Sequence, residues 1–276
     1  MARLGRINKL TVTEVREYGA HLDGGESGDI LLPGREVPEG CQVGAEVIVF
    51  VYKDGEDHLR ATTQKPLVMI GRFAALKVVG VTGAGAYLDW GLQGDLFVPR
   101  SQQREPMRVG NSYVVVVFLD DNERIIASSK LDRFLDLEPP EYAEGEEVTL
   151  LIHAQSELGY QAVVNQRHNG MLYLNEVFQQ LEIGQELTGY IKKIRADQKI
   201  DLCLKKPGYQ GVEDVSQIVL EVIKARGGRI AVTDQSPPEE IYACFGVSKK
   251  SFKKAIGALY RKRVVVIDPE GITLVG

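Results

Sequence analysis

Two sets of side chains in this sequence stand at spacings that could do non-covalent chemistry. The first is aromatic. Tyr18-Gly19-Ala20-His21-Leu22 and Ala84-Gly85-Ala86-Tyr87-Leu88 place a ring beside a glycine in short apolar segments, with Trp90 and Phe97 close behind the second. Tyr160 and Tyr173 follow farther along. The second set is cationic: Lys192, Lys193, Arg195 and Lys199, leading into Lys205-Lys206, then Lys249, Lys250, Lys253, Lys254 and Arg261. Exposed rings stack planar bases at about 1–3 kcal/mol each, and neighbouring cations follow the phosphates. His21 can stack as well, and carries charge only below about pH 6.5.

Covalent chemistry finds no comparable support. His21, His58, His153 and His168 lie in separate segments, and Cys41, Cys203 and Cys244 lack metal spacing. No P-loop lysine and no Ser or Cys nucleophile in a strained-turn motif occurs. The expectation is a non-enzymatic protein with no cofactor, no metal and no small-molecule substrate. Three scattered cysteines read as free thiols of a reducing compartment.

The segments that must hold these rings repeat. Gly5, Gly19, Leu22, Asp23, Gly28, Asp29, Pro33, Val43, Gly44, Val51, Asp54 and Ala61 each recur as the same residue type 66 positions later. A constant offset over so many positions marks a repeated unit. Each unit reads as five short strands punctuated by Gly, Asp and Pro, which suits a small closed barrel. In the first unit the strands are expected at Leu4–Val15, Ala20–Leu22, Asp29–Leu32, Glu46–Tyr52 and His58–Ala61. A third, more divergent unit follows Pro139-Pro140. Gly85 and Gly110 find partners 74 positions on, at Gly159 and Gly184, and Phe97 aligns with Tyr173.

After Lys205-Lys206-Pro207-Gly208 the apolar period lengthens from two to 3.6. Val215, Ile218, Val219, Val222 and Ile223 share one helical face, with Asp214 as a candidate cap. Ser236-Pro237-Pro238-Glu239 reads as a capping box opening a second helix that runs to about Phe245. Ser248 caps a third, Lys249–Lys262, burying Phe252, Ala255, Ile256 and Leu259. A hairpin across Asp268-Pro269-Glu270-Gly271 ends the chain. Three helices and a hairpin describe a winged helix-turn-helix. The expected fold is mainly β with a small α+β C-terminal domain: three tandem five-stranded barrels, 1–65, 66–136 and 141–207, then a winged helix at 212–276.

Over 276 residues the net charge is −5, which by itself disfavours polyanions. The distribution is uneven, however. Between Tyr190 and Arg263 there are 16 Lys or Arg against 8 Asp or Glu. Binding follows local potential, so this span can still meet phosphates. No run of 18 apolar residues and no apolar signal core appears, so the expectation is a cytoplasmic protein away from membranes.

The glycine-flanked ring segments resemble the central strands of the ribosomal-protein-S-one RNA-binding domain, an OB-fold barrel. Gly28 and Gly94 open the following strand as in that family. Three such barrels followed by Phe245-Gly246-Val247-Ser248-Lys249-Lys250-Ser251-Phe252 resemble the conserved virulence factor B (CvfB, YitL-like) family of bacteria. The resemblance implies RNA binding and regulation of gene expression, including virulence-type regulation. Single-stranded RNA is the expected partner, held by Tyr18, His21, Tyr87, Trp90, Phe97, Tyr160 and Tyr173 with the cations named above. Duplex nucleic acid is a second candidate partner for the winged helix. Two alternatives stand beside this reading: a DNA-binding transcription factor, and a protein-interaction scaffold whose barrels no longer bind nucleic acid. The sequence departs from the family's ring pattern at Leu31, Ala84, Leu158 and Gln161, so the copies should not bind equally.

Overall fold

The computed structural model describes residues 1–54, 58–174, 177, 179–206 and 212–275. Pro207 and Gly208 of the predicted break lie outside the described residues. The first barrel is built from β1 (Ile7–Arg16), β2 (Gly19–Asp23), β3 (Asp29–Pro33), β4 (Glu46–Lys53) and β5 (Leu59–Thr62). It closes in the order β1-β2-β3-β5-β4. The second uses β6 (Phe73–Val81), β7 (Gly85–Leu88), β8 (Leu96–Pro99), β9 (Ser112–Leu119) and β10 (Ile125–Ser128). The third uses β11 (Glu147–Ser156), β12 (Gly159–Val164), β13 (His168–Tyr173), β14 (Glu186–Ile194) and β15 (Ile200–Cys203). Both close with the same connectivity as the first.

The recurring glycines have identifiable work. Gly44, Gly110 and Gly184 sit two residues before the fourth strand of their barrels with φ near +90°, which favours glycine. Each donates its N–H to the first strand, at Val12 (2.8 Å), Val78 (2.9 Å) and Ile152 (2.7 Å). That bond seats the fourth strand against the first and so closes the cylinder. Gly19, Gly85 and Gly159 meet a different demand. A Cβ on any of them would strike a third-strand carbonyl, of Leu32, Val98 or Leu172. Alternation fills each barrel with one face of its strands, such as Val12, Ala20, Leu22, Ile30 and Leu32 in the first.

The chain divides into two compact units. One holds the first two barrels, the other most of the third barrel and the C-terminal domain. Within the first, Phe50 of β4 meets Trp90 edge-on, with centroids 5.8 Å apart and planes at 84°. Phe50 is buried in the second barrel's apolar cluster, so these two barrels share packing.

The C-terminal domain contains α1 (Val212–Ala225), β16 (Arg229–Ile230), α2 (Pro238–Phe245), α3 (Lys249–Arg261), β17 (Val265–Asp268) and β18 (Gly271–Leu274). Its sheet order is β16-β18-β17. Phe252, Ala255, Ile256 and Leu259 are buried as the helical period requires. Ser248 caps α3 by accepting from Ser251 N at 3.1 Å. Two expected caps differ. Helix α1 begins at Val212, so Asp214 lies inside its first turn. Helix α2 has Pro237 at its N-cap and no side-chain cap, while the Ser236 hydroxyl accepts from Thr233 N at 3.2 Å. The local turn outcompetes the capping box.

Candidate nucleic-acid interface

In the second barrel Tyr87 and Phe97 stand directly opposite each other on β7 and β8. Their centroids are 5.2 Å apart, with planes inclined by 41°. Alternation turns Ala86, Leu88, Leu96 and Val98 inward and leaves these two rings half-buried on the outer wall. Glycines make room for them: Gly80 faces Tyr87 across the sheet, and Gly85 lies beneath the Phe97 ring. Lys77 and Arg100 are exposed in the same barrel. The Asp89 carboxylate accepts from Gly91 N at 2.9 Å and shapes its own loop.

In the first barrel Tyr18 is 54% exposed and meets His21 edge-on at 5.9 Å. The phenol and His21 Nε2 are 3.1 Å apart. The Arg16 guanidinium lies 6.0 Å from the Tyr18 centroid and pairs with Glu14 at 2.7 Å. A hydrogen bond to Arg16 holds the Glu14 carboxyl below its ordinary pKa, and the same bond raises that of Arg16. Arg16 was not among the expected contacts, although its position two residues before Tyr18 was readable.

Two expected stacking rings face the wrong way. Trp90 is only 6% exposed and donates its indole N–H to Gly94 O at 2.7 Å. It is a packing residue, drawn into the contact with Phe50. Tyr160 is 4% exposed. It directly follows Gly159, at the inward position held by Ala20 and Ala86, so it fills the third barrel. The third barrel's register also corrects the alignment. Gly159 pairs with Tyr173 and Gln161 with Met171, whereas Gly85 pairs with Pro99 and Tyr87 with Phe97. Met171 is therefore the counterpart of Phe97, and Tyr173 lies two residues farther on. A slip of two preserves the outward face. Tyr173 is half-buried there, with the Arg195 guanidinium 5.7 Å from its centroid and donating to its hydroxyl.

Many of the expected cations are engaged inside the protein. Arg195 pairs with Asp201 at 2.9 Å, a hydrogen-bonded contact that raises its pKa, and Lys199 pairs with Asp197 at 3.1 Å. Lys205 donates to Gly246 O and lies 5.3 Å from the Tyr242 centroid, fastening the end of the third barrel to the C-terminal domain. Although Lys205 is exposed overall, partial burial holds its ammonium below the ordinary lysine value. On α3, Lys249 donates to Ser236 O at 2.9 Å, Lys253 pairs with Asp234 at 3.3 Å, and Arg261 donates to Gly257 O at 3.2 Å. Lys193, Lys206, Lys250 and Lys254 are exposed, while Lys192 is half-buried. Tyr260, 55% exposed, stands seven residues after Lys253 on α3. Helical spacing could have revealed this ring.

Among the described residues no group of three His, Cys, Asp or Glu is placed to hold a metal ion, and no helix is long and apolar enough to cross a membrane. Cys41, Cys203 and Cys244 are free.

Residues 4–64 and 70–130 match the S1 domain, and residues 217–274 match the CvfB-like winged helix domain. Both are nucleic-acid-binding domain types rather than enzyme families. The chain is similar to YitL of Bacillus subtilis, at 23% identity over 94% of this chain and 89% of that protein. It is similar to Conserved virulence factor B of Staphylococcus epidermidis, at 22% identity over 98% and 94%. A crystal structure of a multidomain protein with nucleic acid binding domains from Streptococcus pneumoniae covers 99% of this chain and 98% of its own. Its identity is 22% and its TM-score 0.44. The domain matches and full-length relatives bear out the resemblance to the conserved virulence factor B family.

Proposed function

We propose that this chain, built of two S1 domains, a third barrel of the same topology and a CvfB-like winged helix domain, is a non-enzymatic, cytoplasmic single-stranded RNA-binding protein that regulates gene expression after transcription. The observation that carries the reading is the Tyr87–Phe97 pair. Two touching rings on the outer wall of a barrel, floored by glycine, form a platform on which bases can stack without sequence preference. The Tyr18–His21 pair is a second and weaker platform, because acidic residues dominate its barrel. Tyr173 with Arg195 is a third. Lys193, Lys206, Lys250 and Lys254 are the cations best placed to follow phosphates. Weak sites in one chain gain strength through effective concentration.

A lysine-rich α3 supports affinity more than base reading, since bidentate contacts to guanine or adenine commonly come from Arg, Asn or Gln. Single-stranded RNA, single-stranded DNA and duplex DNA titrated at two salt concentrations test the proposal. Single-stranded RNA should bind best, with affinity falling as salt rises. A preference for duplex DNA that is lost on deleting residues 212–276 would shift the assignment to a DNA-binding regulator. No binding to any nucleic acid at low salt would leave the scaffold reading.

A further inference from the structure

The first unit contains a groove of about 570 Å³ between its two barrels, with neither Tyr87 nor Phe97 in its lining. That volume suits a compact organic ligand. Half-buried Tyr52 and Ile125 give it apolar surface, and the buried Trp90 and Leu96 form its floor. Two contacts between the barrels flank it: Arg35 donates to Gln93 Oε1, and Lys53 pairs with Glu123 at 3.3 Å.

The polar groups lining the groove are unevenly committed. Lys53 is held by Glu123, Arg124 by Asp120 at 2.6 Å, and Asp54 by Arg60 at 2.8 Å. Asp95 and Gln93 are exposed at the mouth of the groove, and Asp95 makes no hydrogen bond or ion pair among the described residues, so its carboxylate is open to a ligand. The Tyr52 hydroxyl likewise has no partner there, and only Oε1 of Gln93 is engaged. Burial, followed by the nearby Glu36 charge, raises the Tyr52 phenol above its ordinary pKa, so it stays a donor. The set open to a ligand is thus one exposed carboxylate acceptor, one hydroxyl and one exposed amide N–H₂ beside the half-buried Tyr52 ring.

An uncommitted carboxylate repels anions and favours a neutral ligand with two adjacent donors. Among the bases, guanine presents such an edge: N1–H beside the 2-amino group, with O6 next to them as an acceptor. Adenine and cytosine offer one donor beside a ring acceptor, and uracil one donor between two carbonyls. We propose that the groove between the first two barrels binds a guanine base, with the Asp95 carboxylate accepting from N1–H and the 2-amino group and Tyr52 or Gln93 donating to O6. The base can come from a free nucleoside or from a strand that also crosses the outer platform.

Trp90 is the protein's single tryptophan and lines the groove, so its fluorescence reports occupancy. The full-length protein is titrated with guanosine, inosine, adenosine, cytidine, methylguanidine, and a short uridine tract with or without one guanosine. Guanosine should bind saturably and inosine, lacking the 2-amino group, about tenfold or more weaker. D95N should weaken guanosine by a similar factor without shifting the melting temperature, and Y52F by less. A guanosine-dependent signal that D95N removes only with the tract assigns the base to a strand. Equal binding of guanosine, inosine and adenosine would overturn the proposal. So would tighter binding of methylguanidine, no response to any guanine-bearing probe, or an unaltered D95N. Replacing both Tyr87 and Phe97 by Ala should leave free guanosine binding intact, which separates this site from the outer platform.

Discussion

Replacing Tyr87, Phe97 or both by alanine should weaken binding of an unstructured RNA without unfolding the second barrel. A stacked base is worth about 1–3 kcal/mol by ring truncation. The rings are 5.2 Å apart and touch, so they present one continuous platform. Such a ring pair is itself worth about 0.5–1.5 kcal/mol, and losing one ring leaves the other less well held. The single replacements should therefore be coupled, and the double replacement should cost about 2–4 kcal/mol, roughly 30- to 1,000-fold in Kd. Fluorescence anisotropy with labelled RNA at low salt measures this, with a melting curve for each variant as a folding control. Neither ring carries charge, so the slope of log affinity against log salt should stay the same. A folded double variant that binds within threefold of the parent would refute the stacking argument.

Lys250→Ala with Lys254→Ala should reduce the magnitude of the salt slope for single-stranded RNA by about 1.4. Lys205→Ala should leave the slope unchanged and cost about 1 kcal/mol of stability in urea unfolding, because its ammonium serves Gly246 and Tyr242. Trp90→Ala should cost about 3–5 kcal/mol of stability, read by urea unfolding, through loss of its packing on Phe50 and its bond to Gly94. Gly257→Ala in α3 meets nothing within 4 Å of the new methyl group and should stabilise the C-terminal domain by about 1 kcal/mol in thermal unfolding. The hydrogen bond from Arg124 holds the Asp120 carboxyl below its ordinary value. Its stabilisation should be fully present above about pH 4, the unfolded-state value, and be lost as pH falls through the folded value. Carboxyl NMR titration of Arg124→Ala should move the Asp120 pKa back upward.

Much of the architecture was legible because its determinants are local. The glycines at 66-residue spacing mark backbone positions that reject a Cβ or favour positive φ, and their order along the chain reproduces the order of strands. Phe252, Ala255, Ile256 and Leu259 likewise declared α3 by period alone. The caps were less legible. Asp214 and Ser236 are competent cap residues, but the helix began earlier in one case and a local turn captured the hydroxyl in the other.

The sequence by itself determined three small barrels and a winged helix, together with the inventory of rings and cations they could carry. Only the tertiary structure decided which of those groups face outward and which remain available. A period of two says that Leu96 and Phe97 point to opposite sides, but barrel closure chooses the inside. That choice leaves Tyr87 and Phe97 on the wall and puts Tyr160 in the core. Packing between the first two barrels then removes Trp90 from the surface. Register in the third barrel moves the counterpart of Phe97 to Met171, because a two-residue slip leaves the alternation intact and so leaves no trace in the pattern. The cations follow the same logic. Lys205 meets Gly246 across 41 positions and Lys253 meets Asp234 across 19, and pairings at that distance along the chain exist only once folding has brought the two groups together.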